Sequence, residues 1–480
     1  MNATANEIVA RLWNLCSLLR EDGVTYHQYV SELAFILFPK MAKETKREKE
    51  LPAGYRWDDL TAKGGVEQLN FYRAMLLHLG TAGSRRVQDI YANASTSLRQ
   101  PKNLAALVKA IDEIDWFSVA RDDREALGDL YEGLLEKNAT EVKSGAGQYF
   151  TPRPLVEAMV AVMNPKAGEV IQDPACGTGG FLIAADRYIK SQTDDLFDLS
   201  EQLQLFQRKK AFHGVELVPE TRRLALMNMA LHNLEAEIIL GDTLSPTGAA
   251  LPKAKLILTN PPFGTKKGGG KPTRDDFTFP TSNKQLAFVE HVYRGLEAGG
   301  RAAVVVPDNV LFEENAGTDI RNDLMDKCDL HTILRLPTGI FYAQGVKTNV
   351  LFFTRGEKDK GNTKATWFYD LRTNTPAFGK RTPLTREHFA EFEKLYGDDP
   401  NGKGKRKDQG EAGRFRKYTR DEIKARGDNL DVTWLKDEGQ TNSDDLPEPE
   451  VIAERIQEKL KVALGEMDGL MAILRGGEAS

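Results

Sequence analysis

Seven short apolar runs punctuate the chain between residues 169 and 355, and helical stretches separate most of them. They are EVIQD (169–173), AFHGVEL (211–217), EIILGD (237–242), KLILTN (255–260), RAAVVVP (301–307), HTILRLP (331–337) and NVLFFTR (349–355). This alternation limits the fold severely. Strands that alternate with helices form parallel β-α-β units, because a parallel return needs a crossover long enough to hold a helix. Runs that are apolar on both faces belong in a sheet covered on both sides. The last two runs lie close together, which suits an antiparallel strand at the sheet's end. The expectation is an α/β fold around a mixed seven-stranded sheet.

Residues 1–140 have a different texture. Ile8, Leu12, Leu15, Leu18 and Leu19 recur at helical spacing, and the pattern resumes in YVSELAFILFPKMAKE, LNFYRAMLLHLG and LAALVKAIDEI. No two-residue alternation interrupts them, so an all-helical N-terminal domain is expected. The α/β domain then spans 141–398. Residues 399–446, which include DPNGKGKRKDQGEAGR, read as a polar linker or irregular region. Residues 447–480 read as a C-terminal helix for subunit assembly: Ile452, Ile456, Leu460, Ala463, Met467, Leu470 and Leu474 make one apolar stripe. Packing of that stripe on its own domain is the alternative.

With 480 residues and a formal charge of −5, the chain lacks the basic surplus of a domain that binds nucleic acid alone. DNA contact would be local or shared with a partner. The three cysteines are far apart, which argues against a disulfide framework and for a reducing cytoplasm. The first twenty residues carry charges too early for a signal peptide, and no apolar run is long enough to span a bilayer. There is no HExxH, no paired CxxC and no P-loop, so no metal is expected.

The first run ends in DPACGTGGF, Asp173 to Phe181, and a helical segment follows. In such a turn Gly177, Gly179 and Gly180 carry no Cβ to hold a ligand away from the backbone. The spacing differs from the Gly-x-Gly-x-x-Gly of a pyrophosphate site. S-adenosylmethionine fits better, because its cationic groups favour acceptors and carboxylates such as Asp173. Glu216, ending the second run, is placed to accept the ribose hydroxyls, and Asp242, after the third, the adenine amino group. Each could instead cap the helix that follows. Upstream, GQYFTPRPLVEAMV puts Gln148, Tyr149, Phe150 and Thr151 just before the first run, in a segment able to close over the donor. Pro154 suits a first helical turn, with Thr151 as its cap.

The fourth run ends in Asn260-Pro261-Pro262-Phe263. Two prolines fix the backbone, so the Asn260 amide and the Pro261 carbonyl hold set directions. Each can accept from an exocyclic amino group, whose nitrogen is a poor nucleophile while its lone pair is delocalised into a ring. The charge that develops on it then meets preorganised oxygen dipoles. Phe263 offers a face for a base to stack on. A base inside a duplex cannot reach such a pocket and must be flipped out. Alternatively, the tetrapeptide is only a rigid strand stop. Lys266, Lys267, Lys271 and Arg274 follow, and would either meet phosphates or form a solvated basic loop.

GQYFTPRPL, DPACGTGGF and NPPFG, in this order, resemble the motifs of the amino-methyltransferases of Type I restriction-modification systems. GGRAAVVVPDNVLF, LPTGIF and both helical ends are similar too, so the resemblance covers nearly the whole chain. It implies a Rossmann-like, S-adenosylmethionine-dependent domain that methylates N6 of a flipped adenine in double-stranded DNA. It also implies that Gln148, Tyr149, Phe150, Thr151, Pro152 and Arg153, with Thr178, Gly179, Gly180 and Glu216, bind the donor. Asn260 to Phe263 would bind the adenine. Partners would be a DNA specificity subunit, a second modification subunit and a restriction (translocase/nuclease) subunit. Cys176 reads as a small packing residue. Two alternatives remain: an amino-methyltransferase of RNA or protein glutamine, and a catalytically silent subunit that clamps DNA.

Overall fold

The computed structural model describes residues 5–114, 116, 126–141, 150–263, 271–341, 346–376, 378–379 and 382–436. Its centre is one sheet of nine strands in the order β3-β2-β1-β4-β5-β7-β6-β8-β9. The strands are β1 (Ile171–Asp173), β2 (Phe212–Glu216), β3 (Glu237–Leu240), β4 (Ala254–Thr259), β5 (Leu296–Pro307), β6 (Cys328–Arg335), β7 (Thr348–Arg355), β8 (Ala365–Asp370) and β9 (Phe415–Thr419). The first five pair in parallel. The strand β7 lies antiparallel between β5 and β6, and β9 closes the far edge antiparallel to β8.

The sheet therefore has nine strands, not the seven expected. The two additions are ATWFYD and FRKYT. The second lies in the stretch 399–446 that was expected to be irregular. As an edge strand it buries Phe415 and leaves alternate positions to solvent, so its arginine and lysine hide the strand signal. The antiparallel β7 is not at the sheet's end either. Its apolar positions are buried because it is flanked on both sides.

The chain reverses its strand order between β1 and β4, which are hydrogen-bonded neighbours. Open α/β sheets bind ligands at such a switch point, outside the carboxyl ends of the strands. Three crossover helices, Gly180–Ser191, Pro219–Leu231 and Lys284–Gly295, start near those ends.

The N-terminal residues are helical, and residues up to Thr433 form one compact unit that includes both helices and sheet. The helix Tyr26–Glu44 explains the long apolar run: residues 29–42 are buried almost throughout. Pro39 sits inside this helix and has no N–H for the carbonyl of Phe35. The Tyr91 hydroxyl donates to that carbonyl instead, at 3.0 Å. A second unit runs from Trp434 to Ser480, and the whole of the expected tail helix, 447–480, lies outside the described residues. No described helix is long and apolar enough to cross a membrane.

Candidate active site

A cavity of about 920 Å³ opens at the switch point. Asp173, Gly177, Thr178, Gly180, Glu216, Asp242, Asn260, Pro262 and Phe263 line it together with Phe150, Thr151 and Arg153. Residues as far apart in the sequence as Phe150 and Phe263 thus share one chamber. Pro152, Gly179 and Pro261 are not on its wall. Gln148, Tyr149, Lys266 and Lys267 lie outside the described residues.

One side of the chamber is the glycine turn. Gly177 has φ +54° and Gly179 φ +84°, the left-handed region that glycine enters without strain. A Cβ on Gly179 would also run into the end of the Met229 side chain. The turn is tied to β2: Cys176 N–H donates to the Val215 carbonyl at 3.0 Å, and Gly177 N–H to Glu216 Oε2 at 3.0 Å. Glu216 Oε1 accepts from Val218 N–H at 2.8 Å. Each carboxylate oxygen keeps a lone pair beyond that bond. Burial pushes the Glu216 carboxyl up, against the pull of these amides. Asp242 is exposed, and its Oδ1 accepts from Leu244 N–H at 2.9 Å.

Asp173 is 1% exposed. Its Oδ1 accepts from Ala175 N–H at 3.1 Å and from the Thr259 hydroxyl at 2.7 Å. Burial pushes its carboxyl up to about 7, because the hydrogen bonds only partly offset the lost solvation and Glu216 adds repulsion. Cys176 is buried beside these carboxylates, and its thiol is pushed far up. That leaves it a packing group, not a nucleophile.

The other side is the Asn260 corner. Asn260 Nδ2 donates to the Thr151 hydroxyl at 3.0 Å. Its Oδ1 is buried and has no hydrogen-bond partner among the described residues. Thr151 therefore does not cap the following helix; Pro152 stands at the cap position, and no side chain serves it. Buried Gln285, at the start of Lys284–Gly295, donates from Nε2 to the Pro262 carbonyl at 3.1 Å. The ring of Phe263 meets that of Phe341 edge-on, 5.3 Å between centroids and 89° between planes.

Two contributions escaped the sequence reading. Gln285 carries no local signal, since its role depends on a contact 23 positions back. The helix Ala126–Glu141 supplies Asp129, Glu132 and Glu136 to the wall. Arg153 is held there by Asp129 at 2.9 Å, Glu157 at 3.1 Å and Glu132 at 3.4 Å. Arg274 is not available to a phosphate: its side chain is 4% exposed, bidentate to Asp276 and bonded to the Thr243 carbonyl at 3.0 Å.

Residues 122–444 match the model of the N-6 DNA Methylase family. The chain is 54% identical to the EcoKI methylase subunit of Escherichia coli (strain K12), over 97% of this chain and 95% of that one. It is 53% identical to the StySPI methylase subunit of Salmonella potsdam, over 98% and 96%. The crystal structure of the EcoKI M protein covers 98% of this chain and 96% of its own, at 50% identity and a TM-score of 0.59. A chain solved in a study of complex assembly in the type I R-M system covers 99% of both, at 27% identity and a TM-score of 0.75. With its motifs in order and its length matched almost end to end, the chain belongs to the N-6 DNA methylase family, among the methylase subunits of Type I restriction enzymes.

Proposed function

We propose that the cavity holds S-adenosylmethionine against Asp173–Gly180, Glu216 and Asp242, and an extruded adenine against Asn260–Phe263. The chain then methylates N6 of adenine in double-stranded DNA. It does so in the cytoplasm as the modification subunit of a complex, with a specificity subunit, a second copy of itself and, for cleavage, a restriction subunit. The observation that carries this reading is the Asn260 amide: Thr151 holds its nitrogen, while its buried oxygen has no donor among the described residues, in a chamber shared with the glycine turn. A buried acceptor without a donor costs about 1–3 kcal/mol, which argues for a ligand that completes it.

The lining suits this donor. Carboxylates at Asp173, Glu216 and Asp242 favour a cation with hydroxyl and amino groups. When bound, S-adenosylmethionine supplies an electrophilic methyl group on a sulfonium. Asn260 Oδ1 accepts an amino hydrogen and helps orient the nitrogen lone pair out of the ring plane. Gln285 keeps the corner from shifting by holding the Pro262 carbonyl. Phe263 and Phe341 wall the base site. The chain provides no covalent nucleophile, and holding both reactants supplies much of the rate.

The test is label transfer by the assembled complex from methyl-labelled S-adenosylmethionine to duplexes with and without adenine at the recognised position. Label on adenine N6, in the adenine duplex alone, is expected. Label on cytosine or protein, or none at all, overturns the reading.

A further inference from the structure

Among the described residues, four basic side chains line the cavity: Arg153, Arg187, Lys284 and Arg386. Three are already committed. Arg153 and Arg187 share Asp129 at 2.9 and 2.6 Å, and Arg386 pairs with Glu393. Lys284 has no ion pair or hydrogen bond among the described residues, and it is only partly buried. It is also tied to the reacting corner. Its neighbour Gln285 donates to the Pro262 carbonyl at 3.1 Å, and Phe288, one turn on, lines the same cavity. Asn283 caps this turn through Gln285 N–H at 3.0 Å and Leu286 N–H at 3.3 Å, and its own amide donates to Glu313 at 2.6 Å. The first turn of Lys284–Gly295 is thus fixed on both sides of the lysine, and the lysine alone is uncommitted.

We infer that Lys284 binds a backbone phosphate of the nucleotide whose base occupies the Asn260 corner. The inference rests on the proposed function. A base drawn into the chamber brings its sugar and phosphate to the chamber's edge, because they are covalently joined. An ammonium with no ion pair among the described residues meets that phosphate without first breaking one. It would also partly offset the many carboxylates of the wall, which otherwise repel the DNA backbone. Arg274 cannot take this part, being buried on Asp276. The helix then links two events: the same turn that grips the phosphate through Lys284 braces the corner through Gln285.

A phosphate contact holds substrate and transition state alike, so its loss raises KM and leaves kcat nearly unchanged. The experiment uses the complex with its specificity subunit and compares wild type with Lys284→Ala, Lys284→Gln and Lys284→Arg. Initial rates on the recognised duplex are measured across salt concentrations, and S-adenosylmethionine affinity is measured by calorimetry. For Ala and Gln we expect a KM for DNA raised about tenfold. The slope of log affinity against log salt should shrink by about 0.9, the loss of one phosphate contact. Arg should restore both, and donor affinity should not move. Wild-type KM and slope in Ala and Gln overturn the inference while leaving the methyltransferase reading intact. A fall in kcat at unchanged KM assigns Lys284 to bracing the corner and overturns it as well. Weakened donor binding places the ammonium on the donor's carboxylate and also overturns it. A wild-type complex that methylates no adenine overturns both readings.

Discussion

The two ends of the Asn260 amide differ: Nδ2 is spent on Thr151, while buried Oδ1 has no partner among the described residues and, on the proposed reading, serves the substrate. Replacing Asn260 with Ala should lower kcat by about 10²–10³, the usual cost of one preorganised transition-state contact. Calorimetry should find donor affinity unchanged. Asp173 sets a pH dependence. Its carboxyl stands at about 7, and a cation nearby favours the ionised form. Donor affinity should therefore rise as pH increases through about 7. Asp173→Asn should flatten that rise. For folding itself the linkage has the opposite sign. The folded state keeps a proton that the unfolded chain sheds near 3.8, so this group's contribution to stability is full below that value and is lost as pH climbs through about 7. Sequence reading found both residues at strand ends, but it took Thr151 for a cap. A cap is judged from the next three or four residues, whereas the partner of Thr151 lies 109 positions away.

At the scale of elements, the strands that frame the site were legible because β4 and the second half of β5 are buried and contain little but apolar residues. The strand β8 has an aromatic core of its own, Trp367, Phe368 and Tyr369, and could have been found. The strand β9 could not, since only Phe415 of its five residues is buried and Lys417 and Thr419 face solvent. The N-terminal helices were legible from spacing, yet their geometry holds a detail that spacing cannot give. Pro39 leaves the Phe35 carbonyl without its helical donor, and the Tyr91 hydroxyl fills the gap. Tyr91→Phe removes only that hydroxyl. It should destabilise the protein by about 1–3 kcal/mol, because a buried carbonyl loses its partner. Thermal unfolding with unchanged helical circular dichroism would show this.

For the molecule as a whole, a charge of −5 and a cavity wall rich in carboxylates give little general attraction for DNA. The isolated chain should bind duplex DNA no more tightly than about 10⁻⁴–10⁻⁶ M at physiological salt. Assembled with a specificity subunit, it should reach about 10⁻⁸–10⁻¹¹ M on the recognised sequence. Titrating labelled duplexes by fluorescence anisotropy would separate the two. The composition made this dependence legible, but the recruitment of Asp129 and Glu132 to the chamber was not: helical periodicity gives a buried face, not what that face meets. One bond has a wider consequence. The Thr259 hydroxyl reaches Asp173 across the junction of β4 and β1, whose register is set at Ile171 with Leu256 and Gln172 with Ile257. On the proposed reading, the spacing of methyl source and recipient is thereby written into backbone registration, not into loop closure. A specificity subunit that chooses the target sequence is then at liberty to diverge without detuning the transfer.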